Sequence, residues 1–379
     1  MKTYRLATAW QSVPGIFASF RVIRGLAELS LALMLIATPA AAEPAPFMMR
    51  AQVKDRLVEG QPLAWSDAQM LLLGRDGALY DFHPSEAKDA KRLGPRYVGY
   101  SAEEMQSLLR DEFDRSFETS TTAHFVVVHP RGQWREWAER LESLYRSFTH
   151  YMRVRGFAVE PPRGPLVAVV FRNRDDYFRH AATGGVQLAD GTLGHYDPAS
   201  NRVYLFDIRE SGGDAGWSAN AETIIHEATH QSAYNTGVHQ RFAEQPRWAV
   251  EGLAMMFEAP GVWGAASHHQ QGDRLNRDRL AYFRQTAKDR RADWLAQLVA
   301  SDQAFQSNPL PAYAEAWTLT FYLCETRPQA YSDYLARLAR RELFTTYAPA
   351  ERMSDFTAAF GADLELLAAQ LERYVVGLP

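Results

Sequence analysis

The chain has 379 residues, 46% hydrophobic and 23% charged, with 41 basic against 45 acidic side chains and a formal net charge of -4. This balance excludes disorder, collagen or coiled coil as a description of the whole, and no field of one sign is large enough to make nucleic acid or an anionic membrane the main partner. The single cysteine, Cys324, excludes an internal disulfide and a cysteine-based zinc site.

The first element is an address. Residues 26–42 read LAELSLALMLIATPAAA, with Arg21 and Arg24 before the apolar run and Ala40-Ala41-Ala42 closing it. A positive flank, a short apolar segment and a small-residue end are the parts of a secretory signal peptide, here over residues 1–42 with cleavage expected after Ala42. No later apolar run is long enough to cross a bilayer. The expectation is an exported chain, periplasmic or secreted, with no membrane span in its mature part.

Residues 43–117 read as a small β-rich domain. Gln61–Trp65, Gln69–Leu73 and Ala78–Phe82 are strand-like, and Gly74-Arg75-Asp76-Gly77 signals a hairpin turn. Ser101 followed by Glu104 is a capping box that opens a helix.

From residue 118 to the end the pattern is that of a second domain. His124–His129, Pro165–Phe171 and Arg202–Asp207 read as strands. Gln133–Val154 carries apolar residues at helical spacing and stops at Gly156, and Asn173 caps a short helix. After Gly216 the pattern predicts helices over 219–235, 246–258, 273–288, 291–301, 311–326, 328–342 and 361–375. Strands first and helices afterwards predict an α+β fold.

Chemistry concentrates in the first two of those helices. His226-Glu227-Ala228-Thr229-His230 is an H-E-x-x-H pattern. Positions i and i+4 share a helix face, so both imidazoles can reach one metal ion at roughly 2.0–2.1 Å. Glu227 is rotated about 100° from His226 on an ideal helix, where it suits a general base better than a ligand. Catalytic zinc takes three protein ligands and keeps a fourth position for water. Glu251, on the following predicted helix beside the small residues Gly252 and Ala254, is the candidate third ligand. The small residues are expected to let the two helices approach. One Zn2+ ion held by His226, His230 and Glu251 is the cofactor this reading calls for.

The arrangement of His226–His230 followed by Trp248–Ala254, with Tyr313-Ala314-Glu315-Ala316-Trp317 further on, resembles the gluzincin superfamily of zinc metallopeptidases, and most closely the bacterial peptidase-MA-like families. The resemblance covers roughly residues 118–379. It implies a small sheet lobe with an active-site helix, followed by a helical lobe, acting on a peptide or protein substrate. It also implies an edge strand beside the active-site helix, for which Arg202–Asp207 is the candidate. An oxyanion donor is implied too, and Tyr313 is the candidate. Two other readings compete: a peptidase-like binding protein without catalysis, against which Glu227 argues, and a zinc amidase acting on cell-wall peptides.

Other residues carry weaker signals. His195 can line a cleft but reads more simply as polar surface. His268-His269 point apart as neighbours must. Glu222 or Glu258 can orient a ligand histidine, and both can equally be solvated helix-face charges; the sequence does not choose. Cys324 lies on an apolar helical face and reads as an inert buried thiol.

Overall fold

The structure is a computed structural model, and it describes residues 45, 47–207, 215–263 and 270–379. Residues 1–42, read above as a signal peptide, and His268-His269 lie outside the described residues. The chain divides into two compact units. One takes the chain up to Ala138 together with Arg163–Gly216, and the other takes Glu139–Pro162 with Trp217–Pro379.

The first unit holds two five-stranded sheets. The first sheet consists of β1 (Met49–Val53), β2 (Arg56–Trp65), β3 (Met70–Gly74), β4 (Leu79–Phe82) and β5 (Ala87–Arg92), all antiparallel in the order β4-β3-β2-β1-β5. The expected hairpin is present: Leu73 stands opposite Leu79, Gly74 N donates to Ala78 O at 2.8 Å, and Gly77 takes a φ of 81° that favours glycine. Val58, Leu72 and Phe82 pack together on one face. β5 reads AKDAKR and lies at an edge, where its charges discourage pairing with another chain.

Helix α1 (Ala102–Glu112) opens with the predicted capping box. Ser101 Oγ accepts from Glu104 N at 3.1 Å, and Glu104 Oε2 accepts from Ser101 N at 2.7 Å.

The second sheet comprises β6 (Phe117–Thr121), β7 (Phe125–Pro130), β8 (Leu166–Phe171), β9 (Gly194–Asp197) and β10 (Arg202–Phe206), in the order β6-β7-β8-β10-β9. The three central strands are parallel and the outer two are antiparallel to their neighbours. Parallel strands covered on both faces read as unbroken apolar runs, and β7 and β8 are buried throughout. Helix α2 (Trp134–Val154) connects β7 to β8, and α3 (Arg174–Thr183), capped by Asn173, follows β8.

This arrangement corrects one expectation. The strand over Arg202–Asp207 is not at the sheet edge, because β10 lies between β8 and β9. The edge is β9, a four-residue GHYD segment too short and too polar to read as a strand. His195 belongs to it and is a core residue. Its Nδ1 lies 2.7 Å from Tyr177 Oη, its ring stacks on Tyr204 at 5.2 Å, and burial pushes its pKa down to about 4.

The second unit is helical. It contains the last turns of α2, then α4 (Ala215–Asn235), α5 (Arg247–Phe257), α6 (Pro260–Trp263), α7 (Arg277–Gln285), α8 (Trp294–Ala300), α9 (Gln303–Ser307), α10 (Pro309–Thr326), α11 (Pro328–Ala339), α12 (Pro349–Phe360) and α13 (Leu364–Val376). A helix that is apolar all round must be enclosed. This holds for α10, buried from Ala312 to Cys324 except at Glu315, and for α5, buried from Trp248 to Phe257. Trp248 stacks on Tyr334 and meets Phe356 edge-on, both at 5.7 Å. Phe257 receives the rings of Phe148 and Tyr151 from α2 at 5.2 and 5.0 Å. The fold is α+β, a β-rich part with two sheets followed by a helical part. Among the described residues, no helix is long and apolar enough to cross a membrane.

Candidate metal centre

The site lies within the helical unit. Helix α4 presents His226 and His230 one turn apart, with Nε2 atoms 3.0 Å from each other and rings nearly perpendicular at 84°. Gly237, at a φ of 78°, turns the chain after this helix. Helix α5 then brings in Glu251, whose Oε2 lies 3.3 Å from His226 Nε2 and 3.8 Å from His230 Nε2. The three side chains are buried and form a group that can hold a metal ion.

Two observations test whether a cation fits. A tetrahedral ion with bonds of about 2.0–2.1 Å sets its ligand atoms roughly 3.3–3.4 Å apart, and the three separations of 3.0, 3.3 and 3.8 Å bracket that spacing. The Glu251 carboxylate is also fully buried (0% exposed), yet neither oxygen makes a hydrogen bond of sound geometry. A buried carboxylate left this way is costly unless something positive meets it. Two imidazole nitrogens and one carboxylate oxygen are the donor set of a catalytic zinc site.

Electrostatics point the same way. Burial works against charging His226, but Glu251, Glu258 and the charge of Glu227 together carry its pKa up to about 10. Burial likewise works against charging Glu251, and the two imidazoles and Arg247 still hold its carboxyl well below the usual carboxylate range. These acids favour a positive charge at His226, carried by a proton or, in its place, by a cation.

Of the two acids the sequence left open, Glu258 is the one that meets a ligand. Its Oε1 accepts from His226 Nδ1 at 2.8 Å, and its Oε2 accepts from Asn276 Nδ2 at 2.6 Å. Once a cation takes the place of the Nε2 proton, this pairing would keep the remaining imidazole hydrogen on Nδ1 and leave the Nε2 lone pair facing Glu251 and His230. Glu222 stays exposed on α4. Glu258→Ala is expected to weaken metal affinity about 10–100-fold, the usual cost of losing such a partner. Glu258→Gln should fall between that and wild type. A competitive chelator titration measures both.

Residues 220–345 match a family model. The family is DUF1570, described as a protein of unknown function, and the matched segment contains His226, Glu227, His230, Glu251 and Tyr313. No curated protein matches the chain.

Glu227 is buried beside His226 on α4. Tyr313, near the start of α10, reaches the ligands through a residue the sequence reading missed. Its hydroxyl accepts from Arg247 Nη2 at 3.0 Å, and Arg247 Nε lies 3.6 Å from Glu251 Oε1. Glu251 thus turns one oxygen to the histidines and the other to Arg247. The signal was available, since Arg247 and Glu251 are four residues apart on one helix. Arg247 is anchored in turn: its backbone N donates to Asp302 Oδ1 at 2.9 Å, and Arg352 holds the Asp302 carboxylate at 2.8 and 3.0 Å.

Gly252 allows a close approach, and its partner is α10. A Cβ at this position would strike Thr320 Oγ1 and come within 2.7 Å of the Ala316 carbonyl oxygen. Gly252→Ala is expected to cost about 1–3 kcal/mol of stability by overpacking, read as a lower denaturant midpoint. Cys324 is buried on α10, and burial pushes its thiol up to about 12, so it is inert as expected.

Proposed function

We propose that the chain is an exported zinc-dependent metallopeptidase with a gluzincin-like catalytic domain. The observation that carries this reading is the convergence of His226, His230 and Glu251 on one buried point, with Glu227 adjacent on the same helix. A binding site needs only the three ligands. A buried carboxylate next to the first of them adds the group that hydrolysis needs.

His226, His230 and Glu251 would hold the zinc. A zinc ion bound there would supply a water of lowered pKa, near about 7, and a charge that polarises an amide carbonyl. Glu227 takes the proton from the attacking water and later delivers it to the leaving nitrogen. Glu258 fixes the His226 ring, and Asn276 fixes Glu258. Tyr313, whose hydroxyl accepts from Arg247, is the candidate donor to the oxyanion. The signal segment supports export, and the N-terminal β-rich unit carries no chemistry in this proposal.

The test is metal analysis of the purified chain together with an unbiased peptide-cleavage screen. About one zinc per chain is expected, with cleavage that a chelator abolishes and added zinc restores. Zinc retained by a chain inert across the whole library would reduce the reading to a metal-binding protein.

A further inference from the structure

The residues around the zinc ligands form a closed ring of contacts. His226 meets Glu258, Glu258 meets Asn276, and Asn276 Oδ1 caps α7 by accepting from Arg279 N at 3.2 Å. The Arg279 guanidinium then lies 5.5 Å from the Tyr313 ring centre, Tyr313 meets Arg247, and Arg247 leads back to Glu251. Two guanidiniums therefore lie close to one phenol, since that of Arg247 also lies 5.8 Å from the Tyr313 ring centre.

These cations have capacity to spare. Among the described residues, the Arg279 guanidinium makes no hydrogen bond or ion pair, and Glu222 is the acid whose charge it offsets at longer range. Arg247 spends one nitrogen on Tyr313, and its buried Nε has no hydrogen-bonded partner. Once Glu251 is engaged by a cation, less of its charge is left for Arg247. Two like charges held near one ring, with a bound cation as a third positive centre, favour an anion close to them. The guanidinium fork matches the two oxygens of a carboxylate.

We propose that Arg247, Tyr313 and Arg279 form a carboxylate subsite beside the zinc ligands, so that the substrate is a peptide bearing a carboxylate next to the bond to be cleaved. This rests on the metallopeptidase reading for the word peptide, but the subsite is testable without turnover. The carboxylate has two sources, a free C-terminus or an acidic side chain, and the experiment separates them.

Three pools of N-acetylated tripeptides are offered to the full-length, zinc-loaded Glu227→Gln chain: neutral peptides with a free C-terminal carboxylate, amidated peptides with one Asp or Glu, and amidated neutral peptides. Binding is read by affinity selection and mass spectrometry. At least one carboxylate pool is expected to be retained about tenfold or more over the neutral amides, as a charge-assisted pair provides. Preference for free C-termini identifies a carboxypeptidase mode, and preference for acidic side chains identifies cleavage beside acidic residues. Adding Arg279→Gln should remove most of the preference while zinc content and the thermal transition stay unchanged, and Arg279→Lys should restore part of it. Equal retention of all pools, retention of none, or a preference that survives Arg279→Gln overturns the subsite. Carboxylate preference with no cleavage by the wild type would keep the subsite and sink the peptidase reading, and cleavage without that preference would do the reverse.

Discussion

Glu227→Gln is expected to bind zinc at the wild-type stoichiometry and to cleave peptides about 10²–10⁴-fold more slowly, the usual contribution of a positioned general base. The asymmetry follows from helix geometry. His226 and His230 share a face of α4, while the residue between them in the pattern is rotated about 100° from His226 and is not needed to hold the cation. Glutamine keeps the length and shape of the side chain and one acceptor oxygen, but it cannot take up a proton at working pH. The loss should therefore fall on kcat, with KM little changed. Metal analysis and steady-state kinetics on the same preparation decide it. Loss of zinc together with activity would make Glu227 a ligand, and an unchanged rate would remove it from the reaction.

The elements and side chains that sequence reasoning reached are those whose signal is local. The Ser101–Glu104 capping box, the Gly74–Gly77 hairpin and the buried runs of β7 and β8 each fall within a few residues, and each is where it was expected. So do His226 and His230, because an i, i+4 pair on a helix is fixed in space by the helix alone. Missed elements drew their stability from elsewhere. β5 is a charged edge strand held by β1, β9 is four residues held by β10, and α12 starts at Pro349 with a pattern broken by charged residues. β10 was placed at the edge because nothing in GHYD announced another strand beyond it. The link from Arg247 to Tyr313 and the choice of Glu258 over Glu222 needed the packing of α5, α7 and α10, since those partners lie 18 to 66 residues apart in the chain. Gly252 was rightly read as a point of close approach, but the helix that approaches is α10, far downstream.

Glu251→Ala is expected to lower zinc affinity by more than the 10–100-fold that loss of an outer partner costs, and to abolish cleavage with it. Two effects add. The cation loses one of three donors, and the remaining imidazoles cannot close the coordination by themselves. The guanidinium of Arg247, 3.6 Å from the Glu251 carboxylate, then faces the vacated position with its charge no longer offset by that carboxylate and repels the cation that should fill it. Glu251→Gln separates the two: it keeps the shape and an acceptor oxygen but removes the negative charge, so its affinity should lie between alanine and wild type. Combining Glu251→Ala with Arg247→Gln should recover part of the loss, because the repelling charge is gone while the missing donor is not. A chelator competition on the four proteins reads all of these. If Glu251→Ala held zinc as tightly as wild type, the ion would sit on other residues, and the convergence of these three side chains would have to be explained as core packing alone.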